Sequence, residues 1–206
     1  MNYEVVIFEK GKPIDRSYKI NYTLTKMYPT LGCCGIDCGL CPRFHTAGKS
    51  KCPGCLGENF FKKHPSCSII TCCVKKREHE TCASCIDYLC DKMKHWDKTD
   101  SFVTHRKSLQ TLQYIKDNDL KSFLSQQAER IGLLETMLIK FDDGRSKSFF
   151  CLAANLIPIE ELKKTIRDAS EKSTVSDRKT FSKYLKSQFL EIAKKFKIEL
   201  TYRKNA

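Results

Sequence analysis

From Leu120 to Phe141 apolar side chains recur every three or four positions, at Leu120, Phe123, Leu124, Ile131, Leu134, Leu138 and Phe141. This period gives one face of an amphipathic helix, and it stops at the breaker Asp142-Asp143-Gly144. Phe102, Leu109 and Leu112 form an earlier stripe. A third helix is predicted from Ser146 to about Ile157, with Phe149, Phe150, Cys151, Leu152, Ala153, Ala154 and Leu156 apolar nearly all round, as at the centre of a bundle. Pro158 suits the first turn of a fourth helix through Ile166. After a polar loop, Ser176 or Asp177 can cap a helix with the stripe Phe181, Leu185, Phe189, Ile192 and Phe196.

Elsewhere the period is two. Tyr18, Ile20, Tyr22 and Leu24 alternate with Lys19, Asn21 and Thr23, Tyr3 to Glu9 is rich in β-formers, and Gly11 and Pro13 supply a turn between them. Ile198, Leu200 and Tyr202 alternate again. The expected fold is therefore α+β: an N-terminal β-hairpin (1–32), a loop-rich, metal-held cysteine module (33–96) and a C-terminal helical region ending in a short strand (97–206).

Residues 33–96 have little periodicity but hold five of the nine glycines and Pro42, Pro53 and Pro65. Twelve of the thirteen cysteines lie between Cys33 and Cys90. Three pairs, Cys38 with Cys41, Cys52 with Cys55 and Cys82 with Cys85, have the spacing that lets one loop offer two thiolates to a metal ion. Metal binding would substitute for the hydrophobic core that such a segment cannot build.

A disulfide framework would need export, and the N-terminus MNYEVVIFEKGK has neither a basic start nor a small-residue cleavage site. A reducing cytoplasm is expected. The longest apolar run, Phe149 to Ala154, is far short of the about 20 residues of a membrane span, so no membrane role is expected. Two zinc sites are the economical number and three the upper one. Pairing would join Cys38 and Cys41 with Cys52 and Cys55, and Cys82 and Cys85 with two of Cys67, Cys72 and Cys73, while His45, His64, His79 or His95 could substitute. Adjacent side chains diverge, so one of Cys33 and Cys34, and one of Cys72 and Cys73, is expected to be simply buried.

The order Cys34-Gly35-Ile36-Asp37-Cys38-Gly39-Leu40-Cys41-Pro42, Cys52-Pro53-Gly54-Cys55 and Cys82 to Cys90 resembles the cysteine-rich family catalogued as domain of unknown function 3795. The likeness covers about a third of the chain. Its members are regarded as zinc-binding proteins without an assigned activity. The resemblance implies that Cys34, Cys38, Cys41, Cys52, Cys55, Cys67, Cys72 or Cys73, Cys82, Cys85 and Cys90 are the metal-type cysteines, with Cys33 departing from the pattern.

The rival chemistry is an iron-sulfur cluster, used for electron transfer or cluster-dependent catalysis, because thiolate-only sites serve both metals. Cys34, Cys38 and Cys41 have the spacing of radical-SAM cysteines, but Leu40 stands where an aromatic is usual and no alternating strands and helices follow. The metalloprotease, P-loop, dinucleotide and zinc-deaminase patterns are absent. Cys151 reads as a buried apolar thiol and His105 as part of a solvated helix face.

The net charge of +13 favours an acidic partner. Lys62, Lys63, Lys75, Lys76 and Arg77 flank Phe60, Phe61 and His64, which could offer cations and rings to a nucleic acid, though these lysines also suit a solubilising role. The reading is a cytoplasmic binding or regulatory adaptor for a protein partner, rather than a catalyst, with nucleic acid as the alternative ligand.

Overall fold

A computed structural model describes residues 25–64, 67–172 and 178–203, with strand fragments at 8–9 and 12–13. Its helices are α1 (Phe60–Lys63), α2 (Ser68–Ile70), α3 (Ser108–Asp117), α4 (Leu120–Lys140), α5 (Lys147–Leu156), α6 (Ile159–Lys172) and α7 (Arg178–Lys195). A π-wound stretch, Thr71–Lys76, continues α2.

Local chemistry sets the helix ends. Asp119 caps α4 by accepting from the Ser122 N–H at 2.7 Å. In the following breaker, Asp142 Oδ1 accepts from the Gly144 and Ser146 N–H groups, both at 3.1 Å, so carboxylates satisfy the backbone where the helix ladder ends. Ser146 and Ser182, both fully buried, share a 2.7 Å hydroxyl hydrogen bond that pins this turn to α7.

Two apolar cores result. One gathers α5, α6, α7 and the second half of α4 around Phe141, Phe150 and Phe189, all fully buried, each worth roughly 1.5–3 kcal/mol by burial. The other gathers Leu31, Leu56, Phe60, Ile69, Ile70 and Met93 with Leu112 and Ile115 of α3. Leu120, Phe123 and Leu124 of α4 pack on the second core, whereas Leu134 and Met137 lie in the first. The long helix therefore joins the two, and α3 completes the apolar interior of the cysteine-rich region.

The α+β expectation is corrected: the described chain is mostly helical. Among the described residues strand is confined to Phe8–Glu9 against Lys12–Pro13, two residues a side, which makes no β layer. The alternating Tyr18 to Leu24 segment lies outside the described residues, as do Ser176 and Asp177. No strand forms at Ile198 to Tyr202. There the period of two buries Leu200 against the helical core, but the backbone partner is a side chain: Arg106 donates to the carbonyls of Glu199 and Thr201. A guanidinium fork has taken the acceptors that a neighbouring strand would use.

The helical readings fare better, with three shifts. Phe102 lies before α3 and is exposed. The helix after Pro158 runs past Ile166 to Lys172. His105 is not on a solvated helix face but buried just before α3, stacked on Trp96 with ring centroids 5.0 Å apart.

Candidate metal centre

Two of the three closely spaced cysteine pairs fold alike. Cys38–Leu40 and Cys82–Ser84 are single 3-10 turns, in which Cys41 N–H donates to Cys38 O at 3.2 Å and Cys85 N–H to Cys82 O at 3.1 Å. Each turn brings its two thiol-bearing residues to one side of a loop. The third pair is positioned differently: Cys55 N–H donates to Pro29 O at 2.7 Å, and Gly54, at φ +84°, lies so close to that carbonyl that a Cβ would overlap it. Glycine is therefore what the Cys52–Cys55 loop requires at that point.

All thirteen cysteines are free thiols. Four of them are neighbours: Cys33 lies beside Cys55 and Cys73, and Cys73 beside Cys82. Four separate stretches of chain contribute one sulfur each. The backbone supports the chain of thiols, since Cys82 N–H donates to Cys33 O at 2.8 Å. Cys73 sits in the π-wound turn, and its Sγ also faces the His79 carbonyl at 3.5 Å.

Interaction with Cys55 lowers the pKa of Cys33, but the neighbouring Cys73 and burial push it well above the ordinary thiol range. The neighbouring Cys33, then burial, raises Cys55. Cys73 is lowered by Cys33 yet raised more by Cys82 and by burial. Burial likewise pushes Cys34 up to about 12 and Cys38 well above its usual value. These are neutral thiols, the protonated form of a soft donor set, and a divalent ion binding there would displace their protons.

A buried cation stands beside them. Lys26 is only 6% exposed, donates to Glu80 O at 2.6 Å and pairs with the Glu80 carboxylate at 3.3 Å. Its charge counteracts part of the rise at Cys55 and Cys73.

The remaining cysteines distribute around this chain. Cys34, Cys38, Cys41 and Cys55 lie within electrostatic reach of one another in overlapping pairs, as do Cys41 and Cys52, and Cys34 and Cys67. The Arg77 guanidinium donates to Cys85 Sγ at 3.2 Å and lies near Cys72. Cys90 is partly buried at the edge of the same core. Among the described residues, no three or more His, Cys, Asp or Glu side chains converge with the geometry to hold a metal ion. The donor chemistry fits zinc or an iron-sulfur cluster, but these thiols meet pairwise and would have to draw together to coordinate.

Cys33 is the residue that motif reasoning passed over. It is 1% exposed and central to the thiol chain, and only its adjacency to Cys34 could have flagged it. Both members of that pair are buried, whereas of the second pair Cys73 is buried and Cys72 half-buried. Two of the four candidate histidines have other partners: His45 Nε2 lies 2.7 Å from Gly39 O, and His64 stacks on Phe60 with centroids 4.6 Å apart. Cys151 is buried within the helical core, as expected for an apolar thiol.

The cation-and-ring surface is smaller than the sequence implies. Phe60 is buried in the cysteine-rich core and Arg77 is tied to Asp87. Phe61 is exposed, with the Lys75 ammonium 4.9 Å from its ring centre.

Compared with family models, curated proteins and solved structures, the chain finds no match. Among the described residues no helix is long and apolar enough to cross a membrane.

Proposed function

We propose that this is a cytoplasmic zinc-binding protein whose metal-held cysteine-rich region serves as a binding or regulatory adaptor for a protein partner. The observation that carries the metal reading is the pairwise neighbourhood of Cys55, Cys33, Cys73 and Cys82, thiols from four parts of the chain in or against one core. Buried neighbouring thiols gain little from each other as weak donors. As thiolates they would repel, and a divalent cation supplies the charge that lets them stay together. The adaptor role rests on the basic surface and on the sequence's lack of a known catalytic pattern.

The test is elemental analysis with an absorption spectrum, on protein purified without oxygen and without added metal. Two or three zinc ions per chain and no visible absorbance are expected. Iron with matching sulfide would replace this reading by a redox one, and metal-free protein with its fold intact would remove it altogether.

A further inference from the structure

A cavity of about 60 Å³ opens where the loop carrying Gly35 and Asp37 meets the start of α3, the middle of α4 and the end of α5. A water-sized group needs roughly 10–15 Å³ on this measure, so the space suits a group of about four heavy atoms. About half of its wall is polar, and two cations face it, Lys107 and Arg130. Arg130 donates from Nη1 to the carbonyls of Ala154 at 2.6 Å and Ile157 at 2.9 Å, which fixes the guanidinium at the cavity wall. Lys107 immediately precedes α3, and burial lowers its ammonium to about 8. It is still charged at neutral pH.

The acidic group on the wall is already engaged. The Asp37 carboxylate accepts from Gln127 Nε2 at 2.8 Å. By contrast, two deeply buried polar atoms on the same wall have no partner: Ser108 Oγ, in a residue 2% exposed, and Asn155 Oδ1, in a residue 4% exposed. An unsatisfied buried polar atom is costly, and here a donor and an acceptor remain unsatisfied around one cavity with two cations. That combination describes an anion's oxygens on one side and a hydroxyl or ammonium hydrogen on the other.

We propose that the cavity binds a small oxyanion, the phosphoryl or carboxylate head of a metabolite, neutralised by Lys107 and Arg130 and hydrogen-bonded by Ser108. Asn155 accepts from a hydroxyl or ammonium group next to that head. Close approach of α3 is part of the design: Gly35, at φ +80°, lies so near the Ser108 carbonyl that any Cβ would overlap it. No thiol lines the site, although Gly35 and Asp37 of its wall adjoin Cys34 and Cys38, and the proposal does not rest on the metal reading.

The experiment is calorimetric titration of the full chain, with its metal content as purified, using inorganic phosphate and acetate at matched ionic strength. Saturable binding at one site per chain is expected for one of them, and the preferred anion distinguishes a phosphoryl from a carboxylate head. Lys107→Met and Ser108→Ala should each weaken binding at least tenfold while the far-UV spectrum stays unchanged. Ser108→Ala decides the matter if the lysine variant does not fold. Heats that rise linearly with salt and do not change in Ser108→Ala would mean a water-filled polar cavity only, and would overturn the proposal.

Discussion

The Asp37 carboxylate and the Gln127 amide are joined by a buried 2.8 Å hydrogen bond that spans 90 residues of sequence. Asp37 lies inside the first cysteine motif, and Gln127 in the middle of α4. The same amide accepts from Thr30 Oγ1 and donates to Thr30 O, both at 2.9 Å. One glutamine thus binds the entry to the cysteine-rich region, its first knuckle and the joining helix. Gln127→Met keeps the length of the side chain but leaves Asp37 and the Thr30 carbonyl without this donor. A loss of about 1–3 kcal/mol in urea denaturation is expected, from the one unsatisfied buried carboxylate, since the Thr30 carbonyl keeps the Gly39 N–H at 2.8 Å. A loss below about 1 kcal/mol would mean that water replaces the amide.

Arg106 holds the C-terminal segment. Its guanidinium pairs with the fully buried Asp100 carboxylate at 3.0 Å and donates to the Glu199 and Thr201 carbonyls. Asp100 also accepts from Thr104 Oγ1, His105 N–H and Arg203 N–H. Arg106→Ala removes one partner of a buried pair and should cost about 3–5 kcal/mol. Lysine should restore little, because one ammonium cannot span two carbonyls and a carboxylate. Hydrogen exchange would locate the effect: amides at 198–203 should lose protection in both variants, and retained protection would show that Leu200 packing alone holds the segment.

Burial lowers the pKa of His105 below its ordinary 6.5. Its ring lies between the Ser101 hydroxyl at 3.0 Å and the Trp96 carbonyl at 3.1 Å. A depressed folded-state pKa means that the unfolded chain takes up the proton first. This residue's contribution is thus fully present above pH 6.5 and is lost as pH falls through the lower folded value. The melting temperature should fall as the pH is lowered from 6.5, and His105→Gln should flatten that slope. An equal slope in the variant would assign the acid sensitivity to other groups.

The helices were legible because their apolar stripes had to face a core, and α4 and α5 begin and end within a residue or so of their sequence signals. The terminal segment shows the limit. Alternation at Ile198, Leu200 and Tyr202 reports one buried face, but it does not reveal whether the edge is met by a strand or by Arg106. His105 misled for a related reason: polar neighbours in sequence suggested solvent, while its partner Trp96 lies on the preceding loop. In the cysteine-rich region, spacing identified the two 3-10 knuckles but not Lys26, Gln127 or Cys33, whose roles depend on contacts across long loops.

Cys33 gives the sharpest test of the metal reading, because the regularly spaced cysteine pairs omit it while it lies between Cys55 and Cys73. Its sulfur lies beside those of Cys55 and Cys73, and its carbonyl holds the Cys82 N–H. If metal binding draws these thiols together, Cys33→Ser replaces a soft ligand by a hard one of lower affinity for zinc. Metal per chain should then fall by about one ion, with a lower melting temperature. Cys151→Ala is the control, since that thiol is enclosed by the helical core and should keep the full metal complement at a modest stability cost. Serine at 33 with undiminished metal would reduce Cys33 to a packing thiol and return the ligand set to the motif cysteines alone. Loss of metal from the alanine variant at 151 would instead show that the two cores are coupled.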